Sequence, residues 1–318
     1  MKSLEDEIIC KLFEIPAEGK DLIPFFFSDE EIRFLLAVGA GEIQLPIPSD
    51  FDGIDTASEY HRGLLSKTDE TGAFFRLNNF YGFLDVFCIS NYEKYQTLPW
   101  ETRVSLDDWY FNAYLKTLDN GSWPPTTDRV VPLDIIIQEI LDDPRPVYLN
   151  YCDCRSLTGA CGLPRHTCIT YKNGINTFVD RGLSEPIDAE RAAEVVREAE
   201  KAGLMHTRAM GGICNCCGDC CYLFKGQRAL HSTGVWPVSD WIISLDEEKC
   251  IGCGRCVQRC HLSVFTKDSA KKGQGAVSAD PSKCVGCGIC TSTCPKGALK
   301  SLKREQQVNS ELQNGVTQ

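Results

Sequence analysis

Polar and apolar residues follow two periods along the first half of the chain. Ser28-Asp29-Glu30-Glu31 stands directly before an apolar run, EIRFLLAV. That Ser-x-x-Glu box predicts a helix starting near Asp29. GLLSKTDETGAFFRLNNF, from Gly63, breaks at Thr-Asp-Glu-Thr-Gly and predicts two short strands around a turn. A helix followed by such a hairpin points to a winged-helix shape. VSLDDWYFNAYLKTL and VPLDIIIQEILDD predict two further helices, the second stopping before Pro144. The apolar run FLDVFCI should bury Cys88, and Cys10 reads as an ordinary thiol. DNGSWPPTTD (119–128) predicts a loop, and PRPVYLNYCDC predicts a strand leading into the first cysteines of a dense group. Downstream, DAERAAEVVREAEKAGL predicts a helix capped by Asp188 and closed by Gly203. From about residue 302 the sequence is polar without apolar period, which predicts a frayed tail.

The 318 residues are 43% hydrophobic, enough for two or three domains with cores of their own. No apolar run is long enough for a membrane span. The opening MKSLEDEIICKLFEIP has no apolar stretch of leader length, so a reducing cytoplasm is the expected setting. In that setting the 19 cysteines imply metal or redox chemistry rather than disulfides. Two of them, Cys10 and Cys88, precede residue 150; the other 17 lie between 152 and 294. Charge is uneven as well. Residues 1–150 hold 12 Lys and Arg against 27 Asp and Glu, a net of −15; the remainder holds 21 against 17, a net of +4. The acidic half argues against nucleic-acid binding, where phosphate contacts require basic side chains.

Two stretches repeat each other: CIGCGRCVQRCHLSVF from Cys250 and CVGCGICTSTCPKGAL from Cys284. Each is C-x2-C-x2-C-x3-C, with Gly252, Gly254, Gly286 and Gly288 between the cysteines. Over roughly residues 240–302 this resembles the bacterial-type ferredoxins that hold two [4Fe-4S] clusters. The resemblance implies that Cys250, Cys253, Cys256 and Cys294 hold one cluster, and that Cys284, Cys287, Cys290 and Cys260 hold the other. One position departs from the pattern: His261 stands where the family has the proline that Pro295 supplies in the second repeat. A tolerated surface substitution and a histidine that tunes the neighbouring cluster are the two readings.

Nine more cysteines lie upstream: Cys152, Cys154, Cys161 and Cys168, then Cys214, Cys216, Cys217, Cys220 and Cys221 in ICNCCGDCC. No common zinc spacing covers them. In an extended chain adjacent cysteines point to opposite sides, whereas two cysteines two apart face the same way. The leading expectation is two further iron–sulfur clusters with one thiol left over. A zinc or mixed structural site and a cluster with an open iron are the alternatives. YCDCR followed by CNCCGDCC ahead of a dicluster module resembles a poorly characterised group of bacterial and archaeal iron–sulfur proteins. Arg155 reads either as a cation that neutralises cluster charge or binds a carboxylate, or, more often for a single arginine, as an ordinary surface or helix-capping residue; His166, His206 and His231 are candidate ligands, each more often a plain polar residue. No nucleotide-binding glycine motif and no hydrolytic triad is legible.

The expected fold is α+β and multi-domain. It comprises an acidic winged-helix-like docking domain (1–145), a cysteine-rich, metal-organised iron–sulfur domain (146–238), a ferredoxin-like dicluster domain (239–302) and a disordered tail (303–318). The expected function is a cytosolic electron carrier serving protein redox partners, such as a flavin or metal oxidoreductase, or an electron-transfer subunit of a larger complex. The alternatives are a cluster-gated winged-helix regulator and catalysis at an open-site cluster within 152–221.

Overall fold

The box at Ser28 forms as anticipated: the Glu31 N–H donates to Ser28 Oγ at 3.2 Å, and the Ser28 N–H donates to Glu31 Oε2 at 2.6 Å. It opens a helix over Asp29–Val38. This computed structural model describes residues 2–45, 47, 51, 53–118, 128–209 and 211–305. The loop expected at 119–128 lies outside the described residues except for Asp128, and so do the tail residues 306–318. Helices and several sheets share the chain, an α+β fold of more than one domain. It divides into two compact units, each discontinuous in sequence. One takes Met1–Leu118, Asn150–Gly159 and Lys172–Glu185; the other takes Asp119–Leu149, Ala160–Tyr171 and Pro186–Gln318.

In the first unit, strands β1 (Ile43–Gln44), β2 (Leu65–Lys67) and β3 (Phe74–Leu77) form an antiparallel sheet in the order β1-β3-β2. The hairpin β2–β3 is the one expected from GLLSKTDETGAFFRLNNF. Phe34, Ile43, Ile54, Tyr60, Leu65 and Phe75 pack as its core. A second, aromatic core gathers Phe13, Phe26, Phe27, Phe80, Phe83 and Phe87, whose rings pack largely edge to face. Cys88 is fully buried beside it on the helix Phe80–Ser90. Arg62 reaches over the Phe83 ring and pairs with Glu31 and Glu59, each at 2.7 Å. The segment Lys172–Glu185, remote in sequence, is tied to the hairpin by polar contacts. Asn176 Oδ1 accepts the Lys67 N–H at 2.8 Å, Asp180 pairs with Lys67 Nζ at 2.8 Å, and Arg181 donates to the Leu65 carbonyl at 2.9 Å.

Most of a seven-stranded sheet belongs to the second unit. Its strands are β4 (Arg129–Val130), β5 (Val147–Tyr151), β6 (His166–Thr170), β7 (Ser184–Ile187), β8 (Met205–Ala209), β9 (Gly212–Cys216) and β10 (Val238–Ser239). The order is β10-β4-β8-β9-β6-β5-β7. Side-chain alternation gives the sheet two different faces. One face turns Val131, Val147, Leu149, Ile169 and Ile213 toward Ile136 and Ile140 of the helix Leu133–Asp142 and toward Ala192, Val195 and Val196 of the helix Ala189–Ala202. The opposite face carries Val130, Met205 and Cys216, packed with Cys221, Phe224, Val285 and Ile289. Each fully buried aliphatic side chain here contributes about 1.5–3 kcal/mol. The region expected to be organised by metal also has an apolar core between sheet and helices. The helix 133–142, grouped by sequence with the N-terminal part, supplies half of that core's helical cover.

The rest of the second unit is the cysteine repeat. Strands β11 (Trp241–Leu245) and β14 (Leu299–Lys303) pair antiparallel, as do β12 (Phe265–Lys267) and β13 (Val277–Ala279). Residues 302–304, expected to be frayed, are ordered. Leu302 and Lys303 pair with Ile242 and Trp241, and Arg304 donates to the carbonyls of Ser239 (2.7 Å) and Cys284 (2.6 Å). Two-residue alternation at 299–303 was too short a signal to read against the polar stretch that follows.

Candidate metal centres

The two repeats build two cavities. Cys250, Cys253, Cys256 and Cys294 line one together with Leu245, Ile251, Val277 and Leu299. Cys284, Cys287, Cys290 and Cys260 line the other together with Ile243, Val264, Phe265 and Ile289. In each, the fourth cysteine comes from the other repeat. Glycines make the loops possible. Gly252 has φ +66° and a Cβ there would stand 2.3 Å from the Gly273 carbonyl oxygen; Gly286 has φ +70° and would meet the Trp241 carbonyl oxygen at 2.1 Å. The tight turns let backbone donate to sulfur: the Gly286 N–H to Cys284 Sγ and the Ala298 N–H to Cys294 Sγ, both at 3.3 Å.

The thiols are costly to hold without a cation. Burial pushes the Cys287 thiol up to about 12, and the closeness of Cys284 and Cys260 adds to it. Cys290 is pushed up by burial and then by Cys287, Cys284 and Cys260. Four sulfurs crowded in an apolar cavity resist ionisation unless a positive metal core compensates them. The donor set, the cavity and the N–H···S bonds all fit a [4Fe-4S] cluster in each site. The first cavity has its edge at the surface, where Cys253 is exposed; in the second, Cys284 and Cys290 are buried.

The nine-residue run ICNCCGDCC is divided between two groups, and strand β9 decides how. Cys214 and Cys216 alternate onto one face of β9, while Ile213 points into the helix-covered core. The register Ile169↔Ile213, continued by one residue, sets Cys168 of β6 opposite Cys214. Hydrogen bonds to the Cys214 and Cys221 thiols, then burial, push the Cys216 thiol well up. Thr207 Oγ1 lies 3.3 Å from Cys216 Sγ. Cys214, Cys216 and Cys221 belong to the same buried apolar cluster as Cys287.

The strand ends at Cys216, and the chain turns away. The Cys217 and Cys220 sulfurs meet Cys161, all three within 4.8 Å of one another. The Cys220 N–H donates to Cys217 Sγ at 3.1 Å. Hydrogen bonds from the Cys161 and Cys220 thiols, helped by the backbone N–H groups of Cys220 and Asp219, hold the Cys217 thiol far below the ordinary range against the opposing effect of burial. Ala199, Leu204 and Leu163 close over the group.

Cys152 and Cys154 stand in the first unit, with Asp153 between them; one donor atom from each lies within 4.8 Å of the others. Cys152 caps the helix Asp153–Thr158, its Sγ accepting the Arg155 N–H at 3.5 Å. Arg155 is only 1% exposed, a buried cation and not an ordinary surface arginine. Nearby, Asp85 is pushed up to about 8 by burial and by the Asp153 carboxyl, and it accepts the Tyr110 O–H at 3.0 Å. The Cys88 thiol donates to the Asp85 carbonyl at 3.2 Å. Sequence reasoning gave Asp85 and Tyr110 no place, because nothing local marks a buried carboxyl.

The histidines separate clearly. His206 is fully buried on the face turned away from Cys214 and Cys216, paired through Nδ1 with Asn215 Oδ1 at 2.6 Å. Burial draws it down to about 4, so it is neutral. His231 is exposed and His166 half-buried at the start of β6. His261 is not a surface substitution: its Nε2–H donates to the Gly203 carbonyl at 2.7 Å, and its Cβ fills the space beside Gly218.

No curated protein matches the chain. Among the described residues no helix is long and apolar enough to cross a membrane. Residues 249–298 match the 4Fe-4S dicluster domain family, so the chain carries an iron–sulfur domain of the electron-transfer kind at its C-terminal end.

Proposed function

We propose that the protein is a carrier of single electrons in which the dicluster domain is extended inward by the cysteine face of the seven-stranded sheet. Cys250, Cys253, Cys256 and Cys294 would hold the outer cluster, and Cys284, Cys287, Cys290 and Cys260 the inner one. A [4Fe-4S] cluster held in either site supplies one-electron oxidation and reduction. The protein's share is spacing, drying and tuning by N–H···S bonds. The observation that carries the reading is the apolar cluster in which Cys287 packs with Cys214, Cys216 and Cys221. It supports Cys214, Cys216 and Cys221 as ligands of a further cluster beside the inner one, with Cys168 set opposite Cys214 by the β6–β9 register as the fourth. Cys152 and Cys154, gathered with Asp153, would be metal ligands of the first unit in their own right. Electrons would enter at the exposed Cys253. Arg255, Lys267 and Lys296 are exposed near it, so an acidic redox protein is the fitting partner at that edge.

The test is iron and acid-labile sulfide on anaerobically purified protein, with spectra of the reduced state. The dicluster domain alone accounts for about 8 iron atoms, and a third cubane raises the count to about 12. Cys214→Ser and Cys216→Ser should each lose about four iron atoms with matching sulfide and keep the dicluster signal. Iron unchanged at about 8 in wild type and both variants would reduce the proposal to a simple ferredoxin beside an iron-free domain.

A further inference from the structure

We propose that Cys161, Cys217 and Cys220 form a site for one zinc ion held by three thiolates, separate from the iron–sulfur centres. It deepens the reading above by removing three thiols from the iron ligands, and it stands or falls on its own.

The spacing of the sulfurs argues for a single ion. A tetrahedral zinc with Zn–S bonds of about 2.3 Å sets its thiolates about 3.8 Å apart. The corner irons of a cubane carry their thiolates roughly 6 Å apart, because the whole core lies between them. Cys161, Cys217 and Cys220 stand within 4.8 Å of one another. Among the described residues, only this trio and Cys152-Asp153-Cys154 come that close as three donors. Among the described residues, neither quartet that matches the dicluster family brings three of its sulfurs that close.

Local geometry agrees. Cys217-Gly218-Asp219-Cys220 is a C-x2-C turn leaving the end of β9, and the Cys220 N–H donates to Cys217 Sγ at 3.1 Å. Short C-x2-C turns supply half of a structural zinc site, and the remaining donors come from elsewhere in the chain. Here Cys161, which follows the helix-closing Gly159 by two residues, is the third donor. Cys217 and Cys220 are buried under Ala199 and Leu204, whereas Cys161 is half-exposed. The fourth position therefore falls on the Cys161 side, open to water or a small thiol.

The site also has something to hold. A Cβ on Gly218 would lie 2.5 Å from His261 Cβ, so the turn lies flat against the residue that follows Cys260. Arg228 Nη1 fixes the same turn, donating to the Gly218 carbonyl at 2.6 Å. A zinc ion joining Cys161 to this turn would brace the loop against which the crossing cysteine of the inner cluster site is set.

The experiment counts zinc, iron and sulfide together in full-length protein produced with both metals supplied. The expected result is about one zinc per chain in wild type and in a Cys10→Ser control. Cys161→Ser and Cys217→Ser should fall to less than a tenth of that, with sulfide unchanged. X-ray absorption at the zinc edge should show sulfur neighbours at about 2.3 Å. If a variant does not fold, the wild-type zinc count and absorption edge decide alone. Zinc absent from wild type overturns the proposal. So does a zinc edge without sulfur neighbours, or a loss of about four iron and four sulfide in Cys161→Ser.

Discussion

Gly286 and Gly288 sit two residues apart in the inner cluster loop, both with positive φ (+70° and +78°), and yet they should respond differently to alanine. The conformational cost is common to both, about 1–2 kcal/mol for a side chain in the left-handed region. The steric cost is not. An alanine Cβ at 286 would stand 2.1 Å from the Trp241 oxygen and 2.4 Å from its carbonyl carbon. Those atoms are backbone at the first rung of β11, where Trp241 pairs with Lys303, and they cannot yield without opening that rung. Overpacking of this kind adds about 1–3 kcal/mol. At 288 the nearest neighbours are Ser301 Oγ at 3.4 Å and Pro132 Cβ at 3.5 Å, ordinary contacts that add nothing. Gly286→Ala should therefore cost about 2–5 kcal/mol and Gly288→Ala about 1–2, a gap worth roughly five- to 150-fold in the equilibrium for opening the loop. The assay is loss of visible cluster absorbance to an iron chelator across a denaturant series, with the midpoints compared. Equal midpoints for the two variants would falsify the steric argument, and with it the account of why the first glycine of each repeat is required.

Three further outcomes follow from buried charge. Arg62→Met leaves Glu31 and Glu59 without their cation and should destabilise the first unit by about 3–5 kcal/mol near pH 8, read as the denaturant midpoint of that unit. Glu59 is pushed from 4.5 up to about 7 by burial, against the pull of Arg62. The folded chain keeps a proton that the unfolded chain releases, so this contribution to stability is lost as pH rises from about 4.5 to 7; Glu59→Gln should flatten that slope in regional hydrogen exchange corrected for intrinsic rates. His206 acts with the opposite sign in the second unit. Burial lowers it from 6.5 to about 4, so the unfolded chain binds the extra proton and stability falls as pH drops through that window; an unchanged acid slope in His206→Asn would show that the buried ring is not its source.

How far the sequence could be read depended on how local each determinant is. The repeat at Cys250 and Cys284 was legible because eight cysteines at fixed offsets set their own loop geometry, and the family match over 249–298 rests on the same residues. Ser28 with Glu31, and Asp188 with Gly203, were legible because a cap is satisfied within three residues of its helix. ICNCCGDCC was not divisible by inspection. Whether its cysteines form one group or two depends on where β9 stops, which its last rung with β8, Met205↔Cys216, decides, and on which face they take, which the pairing with β6, more than forty residues upstream, helps to set. Ile213 is the residue that decides it: opposite Ile169 and buried under the helices, it sends Cys214 and Cys216 to the other face, and the end of the strand at Cys216 frees Cys217 to turn toward Cys161. His261 shows the same limit from the other side. Within its repeat it is only a missing proline. Its use appears in space, where the ring reaches the carbonyl that ends the helix Ala189–Ala202 and the Cβ occupies the place that Gly218 leaves vacant. Two residues that look independent along the chain, His261 and Gly218, are thus one contact, and a Gly218→Ala change should disturb the inner cluster site through His261 although it alters no sulfur.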